Sequence, residues 1–159
     1  MKLICVIDDN GGMMFNHRRQ SKDRELRKNI LTLAAGAGAD QESDADGAAQ
    51  TEEACKAQLW MNQYTASQFE EEELKGQAFL KISDGLSSAG DQDYVFLEDQ
   101  PPSEYAEQAD ELVIYHWNRK YPGDLKFDID LGNWKLLQTT EFSGFSHEKI
   151  TREIYVPSE

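Results

Sequence analysis

A short segment near the start of the chain concentrates positive charge. Such a cluster can bind a phosphate, a nucleotide or an acidic protein partner, helped by the positive end of a helix that begins nearby. The alternative is a solvated helix face that neutralises the chain's own acids. On the first interpretation Arg18, Arg19 and Lys22 are candidate ligand-binding residues, and an unknown small molecule or acidic protein binds at residues 15–28. Residues 17–28 read HRRQSKDRELRK and hold six of the 16 Lys and Arg residues, namely Arg18, Arg19, Lys22, Arg24, Arg27 and Lys28.

His116 and Trp117 are two further candidate ligand-binding residues. They directly follow the apolar run at residues 112–115, which is typical of a buried strand. Ligands of open α/β sheets bind at the carboxyl ends of the strands, so these side chains could line a cleft. Trp117 equally suits packing against the sheet.

The remaining reactive side chains form no known catalytic or metal-binding pattern. His17, His116 and His147 are far apart and show neither H-x-H nor H-E-x-x-H spacing, so we predict no metal site. Cys5 lies in an apolar run and is predicted to be a small buried hydrophobic residue, and with Cys55 it makes no disulfide framework. A reducing cytoplasm is therefore the expected location. The chain has no G-x-S-x-G motif that would mark a nucleophilic serine.

Composition limits the function classes. The chain has 159 residues, 16 basic and 30 acidic, for a net charge of −14, which argues against a general nucleic-acid binder. No window of 18 apolar residues occurs, so no membrane span is predicted. Residues 34–54 contain no large apolar side chain and are predicted to be a mobile acidic loop within a single domain of residues 1–159.

The apolar patterns predict an α/β fold. Residues 2–8 (KLICVID) are typical of a strand buried on both faces, and Ser21 is the expected N-cap of a helix containing Leu26 and Ile30. Residues 75–91 are ambiguous and could form one helix broken at Gly85. Further strands are predicted at 59–61, 94–97, 112–115 and, by alternation, 127–131, short helices at 65–69 and 104–109, and an antiparallel hairpin from 134–139 and 150–156. Together they predict a three-layer sandwich whose mostly parallel central sheet ends in an antiparallel C-terminal hairpin.

The order of motifs in the C-terminal part resembles the closing strands of dihydrofolate reductases. That family has an AD-x-L-x-L-T strand, an F-x-GD-x-x-FP-x-I turn, a Trp-containing strand and a final F-x-I-Y strand. Residues 4–11 are similar to its first strand and the loop after it, and MNQYT at 61–65 resembles its MG-R-x-T turn. The chain has ADELVIY at 109–115, YPGD at 121–124, Phe127, Ile129-Asp130, WKL at 134–136 and REIY at 152–155.

The departures from that family fall on the cofactor site. The family's Gly-Gly pair lets the backbone approach the cofactor's diphosphate, and Glu98-Asp99 stands in its place here. Two carboxylates would repel a diphosphate. Asn62 and Gln63 replace the Gly and Arg of the MG-R-x-T turn, and Gln63 offers no charge to the 2′-phosphate of NADPH. We therefore predict that conventional NADPH binding is lost and that the chain has no cofactor.

The resemblance also suggests a catalytic acid. The family's acid lies on the first helix and precedes a Leu, which matches Glu25 before Leu26, with Asp23 as the second choice. A carboxylate buried in a pterin pocket can hydrogen-bond the ring and assist protonation, since burial raises its pKa. Alternatively, Glu25 is an exposed helix acid that pairs with a neighbouring basic residue or Asn29.

Three functions remain open from the sequence. The first is a small-molecule-binding or partner-binding protein without reductase activity on a dihydrofolate-reductase-like scaffold. The second is a divergent reductase of a pterin-like substrate, which alone would use NADPH. The third, a nucleic-acid-processing hydrolase of ribonuclease type, rests only on the basic segment. An open basic pocket beside residues 15–28 would favour a small molecule, whereas a cleft filled by Met13, Met14 and Phe15 would favour a partner surface.

Overall fold

A seven-stranded sheet lies at the centre of the computed structural model, which describes residues 1–16, 18–35, 58–70, 73 and 80–158. Its strands are β1 (Lys2–Ile7), β4 (Leu59–Met61), β5 (Leu80–Ile82), β6 (Tyr94–Phe96), β7 (Glu111–His116), β9 (Trp134–Phe142) and β10 (Ile150–Pro157). They lie in the order β5-β4-β6-β1-β7-β10-β9. The first five strands in this order are parallel, and the last two are antiparallel to their neighbours.

The predicted fold class is confirmed in its sheet. β1 pairs with β6 on one side and β7 on the other, so both of its edges are hydrogen-bonded. Its apolar residues are buried on both faces because Ile4 packs in one hydrophobic cluster and Leu3 and Cys5 pack in the other. β9 and β10 form the expected C-terminal hairpin, and β9 runs three residues beyond the predicted end at 139 because its ladder with β10 continues to Phe142.

Three short strands form a second, small sheet that the sequence did not indicate. They are β2 (Gly12–Phe15), β3 (Arg18–Arg19) and β8 (Leu125–Lys126), in the order β3-β2-β8. The small sheet holds Arg18 and Arg19 of the basic segment against the central sheet. It is anchored there because Met13 and Met14 of β2 are buried in the hydrophobic cluster on one face of the central sheet.

The first helix, α1 (Arg24–Ala35), begins later than predicted. Ser21 is not its N-cap; the Asp23 carboxylate accepts the backbone N–H groups of Glu25 at 2.9 Å and Leu26 at 3.4 Å. An aspartate in this position satisfies N–H groups that have no partner inside the helix. The predicted loop at 34–54 lies, beyond Ala35, outside the described residues.

A second, short helix, α2 (Gln63–Ala66), starts two residues before the predicted 65–69 helix. Asn62 caps it by accepting the N–H of Thr65 at 2.9 Å. The helix therefore begins earlier than predicted because Asn62 provides its cap.

Two other predictions of elements are wrong, and the segment left ambiguous at 75–91 is not one helix in its described part. The described part of residues 75–91 contains β5 and a 3₁₀ turn at Leu86–Ser88 rather than one helix. Residues 104–109 form no α-helix, since a 3₁₀ turn at Pro102–Tyr105 replaces it. Residues 127–131 alternate in burial as expected but form no strand, because their apolar side chains pack on the core without a ladder of backbone hydrogen bonds.

Hydrophobic clusters on both faces of the sheet complete the layers. α1 covers one face through Leu26 and Ile30. The small sheet and the 3₁₀ turns contribute Met13, Leu86 and Tyr105 to the other cluster. Among the described residues, none of the helices has the length and apolar character required to cross a bilayer.

Candidate functional site

A cleft lies at the carboxyl ends of the central parallel strands, and it is almost closed. Val6 of β1, Phe96 of β6 and Trp117 after β7 form its floor, and Leu26 of α1 forms one wall. The remaining cavity measures about 10 Å³, which is room for a single water molecule. A pterin-sized ligand therefore has no space there in this conformation.

An ion pair between Arg19 and Glu98 closes the cleft. The guanidinium meets the carboxylate at two points, with Nε 3.1 Å from Oε2 and Nη2 3.1 Å from Oε1. Nη2 also donates to the carbonyl of Tyr64 at 2.9 Å, and the guanidinium lies 4.4 Å from the centre of the Tyr64 ring. This two-point geometry fixes the arginine firmly, because both groups are mostly buried at 18% and 10% side-chain exposure.

Glu98 is further held by its own neighbours. Burial raises the pKa of its carboxyl, while the hydrogen bonds and charge of Arg19 and the hydrogen bond of Gln68 act against that rise. The Gln68 amide donates to Oε2 at 2.8 Å. Each carboxylate oxygen thus has a partner within the protein.

Asp23 lies in a second buried cluster, beside the cleft. Its carboxylate accepts the backbone N–H of Phe145 and of Ser146, both at 2.8 Å, and Nδ1–H of His147 at 2.9 Å. Burial alone would raise the pKa of Asp23, but these hydrogen bonds and that from Glu25 outweigh it and hold the pKa below its usual range. A carboxyl that stays ionised is a poor proton donor near neutral pH.

His147 continues this cluster on its other side. Its Nε2 lies 2.9 Å from the hydroxyl of Tyr121 and 3.3 Å from that of Ser21, and its ring stacks on Trp117 at 4.4 Å. Ser21, His147 and Asp23 follow the order of a serine–histidine–carboxylate relay. The cavity beside it has room for one water molecule and not for an acyl group. The hydrogen bonds of Asp23 join α1 to the β9–β10 loop.

The other candidate acid, Glu25, lies on the first turn of α1 and is half-buried. It does not line the cleft. Within the described residues it forms no ion pair with Arg18, Lys22 or Lys28. Its role as a catalytic acid stays a prediction.

The basic segment is divided between internal and exposed charges. Arg19 pairs with Glu98, Arg27 pairs with Glu73 at 2.9 Å, and Arg24 lies 4.0 Å from the centre of the Phe145 ring. The four that lie on the surface are Arg18, Lys22, Arg24 and Lys28, and Phe145 is itself exposed.

The fold separates the other predicted ligand-binding pair. Trp117 is buried at the cleft, as noted above. His116 instead pairs with Glu153 of β10, with its Nε2 2.7 Å from Oε1 of the carboxylate. It does not line the cleft.

A second cavity, open and much larger, lies between α2, the loop after β6 and the small sheet. It measures about 560 Å³ and falls within the range of small-molecule sites. Sequence reasoning did not identify it, because its walls come from four separate segments of the chain. Its lining residues are Met14, Tyr64, Asp99, Asp124 and Leu125.

Comparisons with known proteins support the fold alone. No family model matches the chain, and no curated protein matches its sequence. Among solved structures, the dihydrofolate reductase from Enterococcus faecalis in complex with NADP(H) and RAB-propyl is similar, with a TM-score of 0.61 and 12% identity over 99% of this chain and 96% of that one. The chain therefore has a dihydrofolate-reductase-like fold.

Proposed function

We propose that this protein is a small-molecule-binding protein that has lost conventional NADPH binding and does not act as a reductase. The observation that carries the proposal is the Arg19–Glu98 ion pair in the cleft. It leaves about 10 Å³ where the resemblance would expect a pterin, which is space for one water molecule. Opening the cleft would separate a mostly buried ion pair, and that is costly.

The cofactor side supports the same proposal. Glu98 and Asp99 stand where the family has glycines, and Asp99 accepts two hydrogen bonds from the Asn62 amide, at 3.0 and 3.3 Å. Within the described residues Asp99 forms no ion pair, so no basic side chain neutralises its charge. A diphosphate placed beside it would be repelled.

The closed cleft would by itself favour a protein partner, since Met13 and the ion pair fill it. The open cavity of about 560 Å³ changes this balance, because it offers a small molecule a place outside the cleft. A nucleic-acid ligand gains little support, since the chain has a net charge of −14 and two of the six basic residues at 18–28, Arg19 and Arg27, are paired with acids inside the molecule.

Calorimetric titration with NADPH, at low and at moderate salt, tests the proposal. The dihydrofolate reductase from Enterococcus faecalis serves as the positive control under the same conditions. We expect saturable binding by the control and none by this protein, and no oxidation of NADPH when dihydrofolate is added. Tight, saturable NADPH binding by this protein would overturn the proposal and restore the divergent reductase.

A further inference from the structure

The lining of the open cavity combines two kinds of surface. Tyr64 and Leu125 contribute an aromatic ring and an apolar side chain, Asp99 and Asp124 contribute carboxylates, and Met14 borders the cavity with only 4% of its surface exposed. The segments that carry these groups are fixed independently. Met14 pairs with Leu125 across the small sheet, and Tyr64 belongs to α2.

Both carboxylates are oriented by neutral donors. Asp99 accepts hydrogen bonds from the Asn62 amide, and Asp124 accepts the backbone N–H of Asn16 at 3.0 Å. Among the described residues neither forms an ion pair. The cavity therefore carries two negative charges that the surrounding protein, itself at −14, does not neutralise.

Tyr64 adds an aromatic surface that already interacts with a cation. The guanidinium of Arg19 lies 4.4 Å from its ring centre, and aromatic rings attract cations through their negative faces. An apolar and aromatic wall provides no ligand atoms for a bare metal ion, which prefers a shell of oxygen ligands. It does stabilise the hydrocarbon part of an organic ligand.

We propose that this cavity binds a small organic cation. Its ammonium or guanidinium group interacts with Asp99 and Asp124, and its hydrocarbon body packs on Tyr64 and Leu125. The proposal rests on the proposed function, because a dinucleotide cofactor could not share this space. It assigns the chemical class of ligand that the non-reductase scaffold would take.

Calorimetry with three probes of similar shape tests the charge requirement. Phenethylammonium and phenethylguanidinium carry the cation, 2-phenylethanol is the neutral control, and phenylacetate is the anionic control. We expect both cations to bind, 2-phenylethanol to bind at least about tenfold more weakly, and phenylacetate not to bind. Raising the salt concentration should weaken binding of the cations.

Matched substitutions locate the site. Asp99→Asn and Asp124→Asn should each weaken binding of the cations about fivefold, the size expected for a partly exposed charge pair. Asp91→Asn is the control, because Asp91 is an exposed aspartate outside the cavity. The unfolding temperature of each variant shows that the fold is retained.

The outcomes separate the two proposals. Absence of binding by both cations, or binding that neither substitution weakens, would overturn this inference. If NADPH also fails to bind, the proposed function survives that result. Saturable NADPH binding would instead overturn the proposed function, and with it the assignment of the cavity to a cation.

Discussion

At the scale of the residue, the Asp23 carboxylate joins two distant parts of the chain. It caps α1 and at the same time accepts hydrogen bonds from Phe145, Ser146 and His147 of the β9–β10 loop. Its side chain is fully buried, and that of His147 is 2% exposed. Removing one partner from a buried pair leaves the other uncompensated, so this contact should contribute strongly to stability.

Asp23→Asn tests that contribution. Asparagine retains an oxygen that can cap α1, so the change chiefly removes the charge. We expect the free energy of unfolding to fall by about 3 kcal/mol at pH 7, measured by urea denaturation. Asp91→Asn, an exposed change of the same charge, should alter it by less than about 0.5 kcal/mol.

The effect should depend on pH in a defined direction. Because the folded state holds the pKa of Asp23 below its usual range, the charge stabilises the fold above the unfolded-state pKa of about 3.9. That contribution is lost as the pH falls below about 4 toward the folded-state pKa. The difference between wild type and Asp23→Asn should therefore shrink below about pH 4, and a difference constant down to pH 3 would contradict this account.

Sequence reasoning selected Asp23 as the second choice of catalytic acid, and that role stays a prediction. The resemblance suggested a proton donor, whereas a helix cap explains its position directly: a short acidic side chain just before RELRKNILTL. That cap could have been found from the sequence. Its pairing with His147 could not, because the two residues are 124 positions apart and only the fold brings them together.

At the scale of the element, the β9–β10 loop packs closely on the start of α1. A Cβ placed on Gly144 would lie 2.7 Å from the carbonyl oxygen of His147 and 2.9 Å from Oδ2 of Asp23. Both distances are shorter than real Cβ atoms show, and one of the two contacted atoms, the carbonyl oxygen of His147, belongs to the backbone. A glycine is therefore required here by close approach.

Gly144→Ala should push the loop away from α1. We expect a loss of about 1–3 kcal/mol in the free energy of unfolding, the range for an overpacked site. Gly85→Ala is the matched control, since a Cβ there would meet only serine hydroxyls at 3.6 Å and beyond. Equal effects of the two substitutions would mean that backbone entropy, and not the close approach, governs Gly144.

Long apolar runs were predicted well at this scale, and short elements were not. β1 and β7 owe their strand structure to continuous apolar residues, a signal that sequence preserves. Residues 127–131 show what an alternating pattern of apolar residues cannot distinguish. Their alternation reports one-sided burial, which a strand and an extended loop share, and only the backbone pairing distinguishes them.

At the scale of the whole molecule, the order of the strands in the sheet brings the residues of the cleft together. Because β1 lies between β6 and β7, Val6, Phe96 and Trp117 reach the same cleft from distant parts of the sequence. The resemblance supplied this topology and placed Glu98 and Asp99 at the cofactor side. It could not indicate that Arg19 closes the cleft, because β3 is a two-residue strand with no sequence signature.

The net charge of −14 should make the stability of the molecule depend on salt. Like charges crowd together on folding, and salt screens their repulsion, since the Debye length falls from about 30 Å at 0.01 M to about 8 Å at 0.15 M. We expect the unfolding temperature at pH 7.5 to rise by about 2–4 °C over this range, which corresponds to about 1 kcal/mol. Calorimetric scans in NaCl and in choline chloride should agree, because screening depends on ionic strength and not on the identity of the cation.

The same salt series near the isoelectric point provides the control. At the sequence pI of about 4.5 the net charge vanishes, so general screening has little repulsion to relieve. We therefore expect the rise in unfolding temperature to disappear there. A rise of equal size at both pH values would mean that salt acts through surface exclusion rather than charge. A fall at pH 7.5 would mean that attractive pairs such as Arg19–Glu98 outweigh the excess of acid, since salt weakens attraction and repulsion alike.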